Sequence, residues 1–292
     1  MPDAYFKYYA ADSLKLTLSN TTRKWSSPFE FNDPFDNRLD IQWTGDPTDI
    51  EISMKKQIIQ LVEDECADLD LLPSDLRTSI SAIRTMLPAE RSAFLKSLKE
   101  LEGTTHTQAT LNAMHVELNR DIELLLSDTS IFCLTEDHDN LLMWAHYADS
   151  HKGGVVKFLP VKEVDSPLLV ARQVIYSRSA PAMEYTNILD IDNTEELKEA
   201  IIDAVTLTKS IDWQYEKEWR IVTRLRGRAN NHDILPFAKE EVGGLYLGCR
   251  ISEADRSELI EIMAEKYPWA PIYQATPKRN EFSLAFEQIY GP

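Results

Sequence analysis

"LLMWAHYADSHKGGVVKF", residues 141–158, changes period halfway along its length. In the first half, Trp144, Tyr147 and His151 recur at i, i+3 and i+7 on one helical face. Met143, His146 and Ser150 fall on the adjacent one. The spacing predicts a helix over 140–151, with Gly153 or Gly154 in the left-handed position that closes it. The apolar run "GGVVKFL" at 153–159 then reads as a short strand. Two readings of the helix stay open. Its aromatic and imidazole face docks on a sheet, or it stacks on a flat ring and offers an imidazole to a phosphate or sugar.

Further strands are expected at "AYFKYYA" (4–10), "SIFCLT" (130–135), "LLVARQVIYS" (168–177), "EWRIVTRL" (218–225), "GGLYLGCRI" (243–251), "PIYQATP" (271–277) and "FSLAFEQI" (282–289). Helices are expected at "DSLKLTLSN" (12–20), 194–210 and 252–267. Between Pro47 and Leu126 the pattern is helical. Ile50, Met54, Ile58, Leu61 and Val62 mark one face, Pro73-Ser74-Asp75 and Pro88-Ala89-Glu90 mark two starts, and Thr105 or Thr107 opens a long helix through Leu118, Ile122 and Leu125. The fold class is therefore α+β. A mixed or antiparallel sheet comes from both chain ends of one domain, 1–292, and an all-helical insertion, 47–126, interrupts it.

The chain has 292 residues, 43% hydrophobic content and a formal charge of −17. That charge opposes an extended nucleic-acid surface, because such surfaces work through Lys and Arg that neutralise phosphates. It leaves room for a local basic pocket, and for a protein partner docked on the acidic insertion. No apolar run approaches the roughly 20 residues of a membrane span. No N-terminal stretch combines a basic flank, an apolar run and a small-residue cleavage site, so a cytoplasmic protein is expected. Cys66, Cys133 and Cys249 lack metal or disulfide spacing and read as reduced core thiols.

Three stretches carry candidate chemistry. The first is the 140–151 helix. The second is "DWQYEKEWRIV", residues 212–222. As a strand it puts Glu216, Glu218 and Arg220 on one face and Trp213, Tyr215, Trp219 and Ile221 on the other. Two carboxylates and a guanidinium on a central strand must be paired, wet or functional. If the stretch begins in a helix, Glu216 and Arg220 are an ordinary i, i+4 pair. Lys209 would add a positive charge to the same region. The third is "SSPFEFNDPFD", residues 26–36. Asn32 and Asp33 can fix a turn that Phe31 and Phe35 pin to the core, or can line a pocket.

Other classes find little support. His146 and His151 stand five apart rather than the four of a helical metal pair. Asp33, Asp36, Glu216 and Glu218 could gather round magnesium, but no motif links them, and no metal is expected. A nucleophile elbow, a phosphate-binding GxxxxGK loop and a GxGxxG fingerprint are all missing, and Cys133 lies in a strand pattern.

Together these stretches resemble the bacterial family known as domain of unknown function 2971. A "YKY"-like strand is matched by Phe6-Lys7-Tyr8, "sP..FNDPFD" by Ser27-Pro28 and Phe31–Asp36, and a "CFS"-like strand end by Cys133-Leu134-Thr135. "MW.hYa..H.G" is matched by Met143–Gly153, "K...W.yE.EwR" by Lys209–Arg220, and "iylG..is" by Leu245–Ser252. The resemblance implies little function beyond an association of some relatives with phage-defence loci.

A more distant resemblance is to ADP-ribosyltransferase-like domains. Their order of site residues is similar to Lys7 or Tyr8, then Thr135 with Tyr147, then Glu216-x-Glu218. It implies NAD as substrate, for a transferase or a glycohydrolase, with a late carboxylate stabilising an oxocarbenium-like transition state. On that reading Glu218 is the stabilising carboxylate, with Glu216 and Tyr147 catalytic beside it. Tyr147 and Trp144 would stack a nucleotide ring, and Arg220 or His151 would engage phosphate. Lys7, Tyr8, Asn32, Asp33, Thr135, His146 and Trp213 complete the ligand-binding set. The alternative is a non-catalytic sensor or protein-interaction module. An enzyme needs Glu218 accessible in a concave site, whereas a module allows it to be buried against Arg220.

Overall fold

The computed structural model describes residues 2–37, 41–44, 47–67, 69, 74–100, 116, 119–120, 122–184, 194–224 and 232–292. In chain order its elements are β1 (Tyr5–Tyr9), α1 (Ala11–Asn20), β2 (Thr22–Ser26), β3 (Gln42–Thr44), α2 (Pro47–Glu63), α3 (Ser74–Arg84) and α4 (Pro88–Glu100). Then come β4 (Thr129–Thr135), α5 (Leu141–Tyr147), β5 (Gly154–Phe158), β6 (Arg172–Gln173), β7 (Ile175–Ser177), β8 (Ala182–Glu184), α6 (Thr194–Thr206) and β9 (Thr208–Ser210). The last are β10 (Glu218–Arg224), β11 (His232–Pro236), β12 (Val242–Leu247), α7 (Glu253–Lys266), β13 (Ile272–Pro277) and β14 (Leu284–Tyr290). The chain divides into two compact units. One is built from residues 1–37, 126–179 and 206–292, the other from 38–125 and 180–205.

The first unit is organised by a sheet in the order β11-β2-β4-β1-β5-β12-β13-β14, with β10 on β4 and β6 on β10. Its pairings are antiparallel except β12–β13, so the expected mixed, mostly antiparallel sheet from both chain ends is present. Alternation along the strands sorts the core into two faces. Tyr5, Tyr9, Phe132, Val156, Phe158, Leu245 and Leu247 share one cluster with Leu14 and Leu18 of α1 and Leu259 and Met263 of α7. Tyr8, Val155 and Tyr246 share the other with Met143 and Trp144 of α5. Tyr267 ties the α1 side together by donating its hydroxyl to Leu18 O at 2.9 Å.

β4 is the strand on which the site depends. One edge pairs with β10 from Glu218↔Thr135 to Arg224↔Thr129. The other edge is divided, with β2 at Ser26↔Ile131 and β1 at Phe6↔Thr135. Between those two registers the Cys133 carbonyl is taken by a side chain, Lys7 Nζ at 2.7 Å.

Several expectations need correction. The helix predicted to run to His151 ends at Tyr147, and the left-handed residues are Asp149, Ser150 and His151 (φ 45°, 54° and 68°), not Gly153 or Gly154. Gly153 is needed for another reason. A Cβ there would stand 1.9 Å from Tyr9 O, because the chain passes against β1 on its way into β5. The stretch 168–177 is not one strand. Ser166 accepts from Leu168 N ahead of a 3-10 helix at Pro167–Val170, and only β6 and β7 follow. The strand expected to reach Ile251 stops at Leu247. Cys66 is exposed rather than a core thiol, while Cys133 and Cys249 are partly buried.

Strands β2 and β11 were hidden by their charge. Arg23, 1% exposed, donates to Glu241 at 2.7 Å and lies 5.1 Å from the Phe132 ring and 5.6 Å from that of Phe237. A buried pair of this kind replaces an apolar contact that would have advertised the strand.

In the second unit, Leu61 and Val62 of α2 and Ile80 of α3 form a core with Ile58, Ile83 and Leu95 around it. Arg84 closes the end of α2 by donating to Leu61 O in its last turn at 2.8 Å and to Asp64 O just beyond it at 2.6 Å. β3 and β8 form a short parallel pair. Residues 116, 119–120 and 122–127 are helical, whereas Pro73, Thr105, Thr107 and Leu118 of the expected pattern lie outside the described residues. No helix of the described residues is long and apolar enough to cross a membrane.

Candidate functional site

Residues 212–222 are a turn and a strand, not one strand. Ser210 Oγ accepts from Asp212 N, opening a 3-10 helix over Ile211–Glu216, and Lys217 (φ 44°) reverses the chain in the left-handed region. β10 then starts at Glu218, so Glu218 and Arg220 share a face at i and i+2. Glu216 joins them because the turn folds it back, not through strand alternation. The turn is pinned from three sides. Thr135 Oγ1 donates to Glu216 O at 2.6 Å, Glu218 N donates to Tyr176 Oη at 2.7 Å, and Asn140 Nδ2 donates to Tyr215 O at 2.9 Å.

Asn140 works twice, since its Oδ1 also accepts from Leu142 N (3.0 Å) and Met143 N (3.2 Å) and so caps α5. Asn140→Ala is expected to cost about 1–2 kcal/mol in denaturant unfolding. Asn140→Asp, which keeps the cap and loses the amide donor, should fall between wild type and the alanine variant. An aspartate variant as unstable as the alanine one would place the whole loss on the Tyr215 bond.

Two buried cations and three buried carboxylates meet here. Arg220, fully buried, donates from Nε to Glu218 Oε1 (2.8 Å) and from Nη2 to Glu218 Oε2 (3.0 Å) and Asp36 Oδ2 (2.7 Å). Its Nη1 reaches Asp36 Oδ1 (2.9 Å), Asn37 Oδ1 (3.2 Å) and Thr206 O (2.6 Å). Lys209 Nζ donates to Glu216 Oε2 at 2.5 Å and Glu218 Oε2 at 2.9 Å, and lies 3.5 Å from Asp36 Oδ2. Tyr147 donates its hydroxyl to Glu216 Oε1 at 2.6 Å.

The two glutamates titrate in opposite directions. Burial pushes Glu218 up, but Arg220 and Lys209 outweigh it and hold the carboxyl well below the ordinary range. Burial also pushes Glu216 up. Lys209 opposes that rise, Glu218 adds to it, and the result is a carboxyl above its ordinary value. Lys209 itself would be lowered by burial, yet Glu218, Glu216 and Asp36 keep it firmly protonated. Burial and the Glu216 charge raise Tyr147.

Beside this cluster is a cavity of about 140 Å³. Phe6, Tyr8, Phe31 and Met143 form its apolar walls; Lys7, Asn32, Cys133, Thr135, Tyr147, Lys209, Glu216 and Glu218 supply the polar ones. Seven of the residues singled out in the sequence therefore reach one cavity: Lys7, Tyr8, Asn32, Thr135, Tyr147, Glu216 and Glu218.

The other six do not line it. Trp144 is fully buried, donates Nε1 to His138 O at 2.8 Å and meets Tyr8 edge-on, so no ring face is left to stack on a ligand. His151 stacks on Trp144 with centroids 6.0 Å apart, and His146 is exposed on α5. Arg220 stands behind Glu218 with every guanidinium nitrogen engaged, which leaves it nothing for a phosphate. Asp33 accepts from Phe35 N at 2.9 Å and from Trp213 Nε1 at 2.6 Å, which fixes the turn as the sequence suggested. Phe35, expected to pin that turn to the core, is 65% exposed; Phe31 instead lies 5.1 Å from the Arg220 guanidinium.

Lys209 and Asp36 are the components the sequence underweighted. In the sequence Lys209 is only an added charge, and Asp36 closes the NDPFD stretch. Neither signal told that the ammonium would stand among three carboxylates. Among the described residues no group of three or more His, Cys, Asp and Glu is arranged to hold a metal ion.

No curated protein and no solved structure matches the chain. A family model described as "Protein of unknown function (DUF2971)" matches residues 143–221, the segment that carries Tyr147, Lys209, Glu216, Glu218 and Arg220, and over that segment the family resemblance read from the motifs is borne out.

Proposed function

We propose that the first unit binds a nucleotide-type ligand in this cavity and cleaves or transfers from NAD, with Glu216, not Glu218, as the carboxylate that meets the reacting sugar. The observation that carries this reading is the unequal engagement of the two glutamates. Glu218 receives three N–H groups from Arg220 and Lys209. Glu216 receives two groups, the Tyr147 hydroxyl on Oε1 and the Lys209 ammonium on Oε2, and so keeps one more lone pair for a ligand in the cavity that it lines.

In the reaction proposed, the ribosyl C1′–N bond breaks and its electron pair neutralises the pyridinium nitrogen of nicotinamide. An oxygen of water or of an acceptor bonds to C1′, and the proton it loses passes to Glu216. A carboxyl whose pKa lies above the ordinary value is suited to receive it. The negative charge also faces the cationic carbon as it develops. Tyr147 and Lys209 orient the carboxylate, and Tyr8 and Phe31, which line the cavity, supply its aromatic wall in place of Trp144.

A second reading has its own observation. Glu218 is 5% exposed and fully paired with Arg220 and Lys209, as a structural clamp in a non-catalytic module would be. Incubation of the purified protein with NAD separates the two. Nicotinamide release by wild type that vanishes in Glu216→Gln supports the enzyme; absence of release together with absence of calorimetric NAD binding moves the assignment to a module that docks a basic partner on its acidic insertion.

A further inference from the structure

Lys7 is the cavity-lining cation that the carboxylate cluster does not use. It lies where β4 is bonded to neither β1 nor β2, and its ammonium gives one N–H to Cys133 O at 2.7 Å. The ammonium stands 4.7 Å from the Phe132 ring centroid and 5.9 Å from that of Tyr9. Among the described residues no carboxylate forms an ion pair with it. The nearby Glu218 already has both oxygens committed to Arg220 and Lys209. Lys209, the other cation on the cavity wall, is surrounded by three carboxylates.

From this asymmetry we infer that Lys7 is an anion-binding residue and that the cavity takes a ligand bearing a phosphate or carboxylate group. The inference deepens the ligand-site reading and rests on it. A partly buried ammonium with one neutral acceptor is short of partners, and an anionic group supplies charge-assisted hydrogen bonds to its remaining N–H groups. Burial lowers the Lys7 pKa, the direction that a bound anion would reverse. Size sets a further limit. About 140 Å³ is well under the roughly 300–1,000 Å³ of cavities that enclose a whole drug-sized ligand. The group held is therefore a compact one, the phosphate- or carboxylate-bearing part of a ligand. Glu216 and Tyr147 remain for its hydroxyl groups.

The test is calorimetric titration of the full chain with inorganic phosphate and, separately, with acetate. Phosphate is expected to bind wild type and to lose about tenfold or more in affinity in Lys7→Met. Acetate binding as tightly as phosphate would assign the site to carboxylates within the same proposal. The proposal is overturned if neither anion binds wild type, or if Lys7→Met binds phosphate as wild type does. Should Lys7→Met fail to fold, Asn32→Asp decides. Asn32 is exposed on the cavity wall, and an added negative charge there should weaken phosphate several-fold, whereas unchanged affinity would count against the anion site. Phosphate binding without nicotinamide release from NAD would remove the proposed reaction and keep the anion site. Release without phosphate binding would do the reverse.

Discussion

Arg220→Met is expected to destabilise the protein by about 3–5 kcal/mol, the usual cost of removing one partner of a buried ion pair. The side chain is fully buried and binds Asp36 and Glu218 with paired nitrogens, while also satisfying Asn37 and the Thr206 carbonyl. Methionine fills much of the volume but leaves two buried carboxylates with Lys209 as their remaining cation. A melting temperature lower by roughly 10 °C follows for a chain of this size. Arg220→Lys should recover little of the loss, since an ammonium cannot reproduce the planar fork that spans both acids. The pH dependence carries the sign. In wild type the depressed Glu218 pKa contributes stability above the ordinary carboxylate value, and that contribution fades as pH falls through the depressed one. In Arg220→Met the carboxylates no longer gain from the guanidinium, so the deficit should be widest near neutrality and shrink on acidification. A variant that melts within a degree or two of wild type, with the same pH profile, would contradict the clamp.

The parts of this arrangement that could be read in advance share one property: a local pattern sufficed. A short apolar run marked β4, and alternation marked β1 and β10 and with them the common face of Glu218 and Arg220. Asn32, Asp33 and Pro34 announced a turn, and its local bond from Phe35 N to Asp33 was legible, whereas the Trp213 donor 180 residues away was not. What stayed hidden depended on contacts far apart in sequence. β2 and β11 carry Arg23 and Asp233 where apolar residues were sought, and the Arg23 guanidinium is accommodated by Glu241 and by the rings of Phe132, Phe158 and Phe237, all more than a hundred residues away. Glu216 was placed on the right face for the wrong reason, since no periodicity foretells a left-handed Lys217. Trp144 shows the sharpest ambiguity. An aromatic at helical spacing has the same signature whether it meets a ligand or, as here, Tyr8 and His138. Lys209 became central only when β9 brought it opposite the turn.

Glu216→Gln should separate function from stability in the opposite sense to Arg220→Met. If Glu216 receives the proton and faces the developing cation, its loss lowers nicotinamide release by about 10²–10⁴-fold. The same change should leave the fold intact or slightly more stable at neutral pH. Glu216 titrates above its ordinary value in the folded protein, so its favourable contribution belongs to the protonated form. That contribution is fully present below the unfolded pKa and is lost as pH rises through the folded one. Glutamine is neutral throughout and escapes that loss. It can still accept from Tyr147, and Lys209 keeps Glu218 at 2.9 Å and Asp36 at 3.5 Å. Wild-type release should accordingly fall as pH drops through the raised Glu216 value, and the stability gap between wild type and Glu216→Gln should close over the same interval. One titrating group would then appear in both a rate and a melting curve. A glutamine variant that releases nicotinamide as wild type does and melts as low as Arg220→Met would make Glu216 a third member of the clamp, because a carboxylate that only braces the turn can affect turnover only by unfolding it.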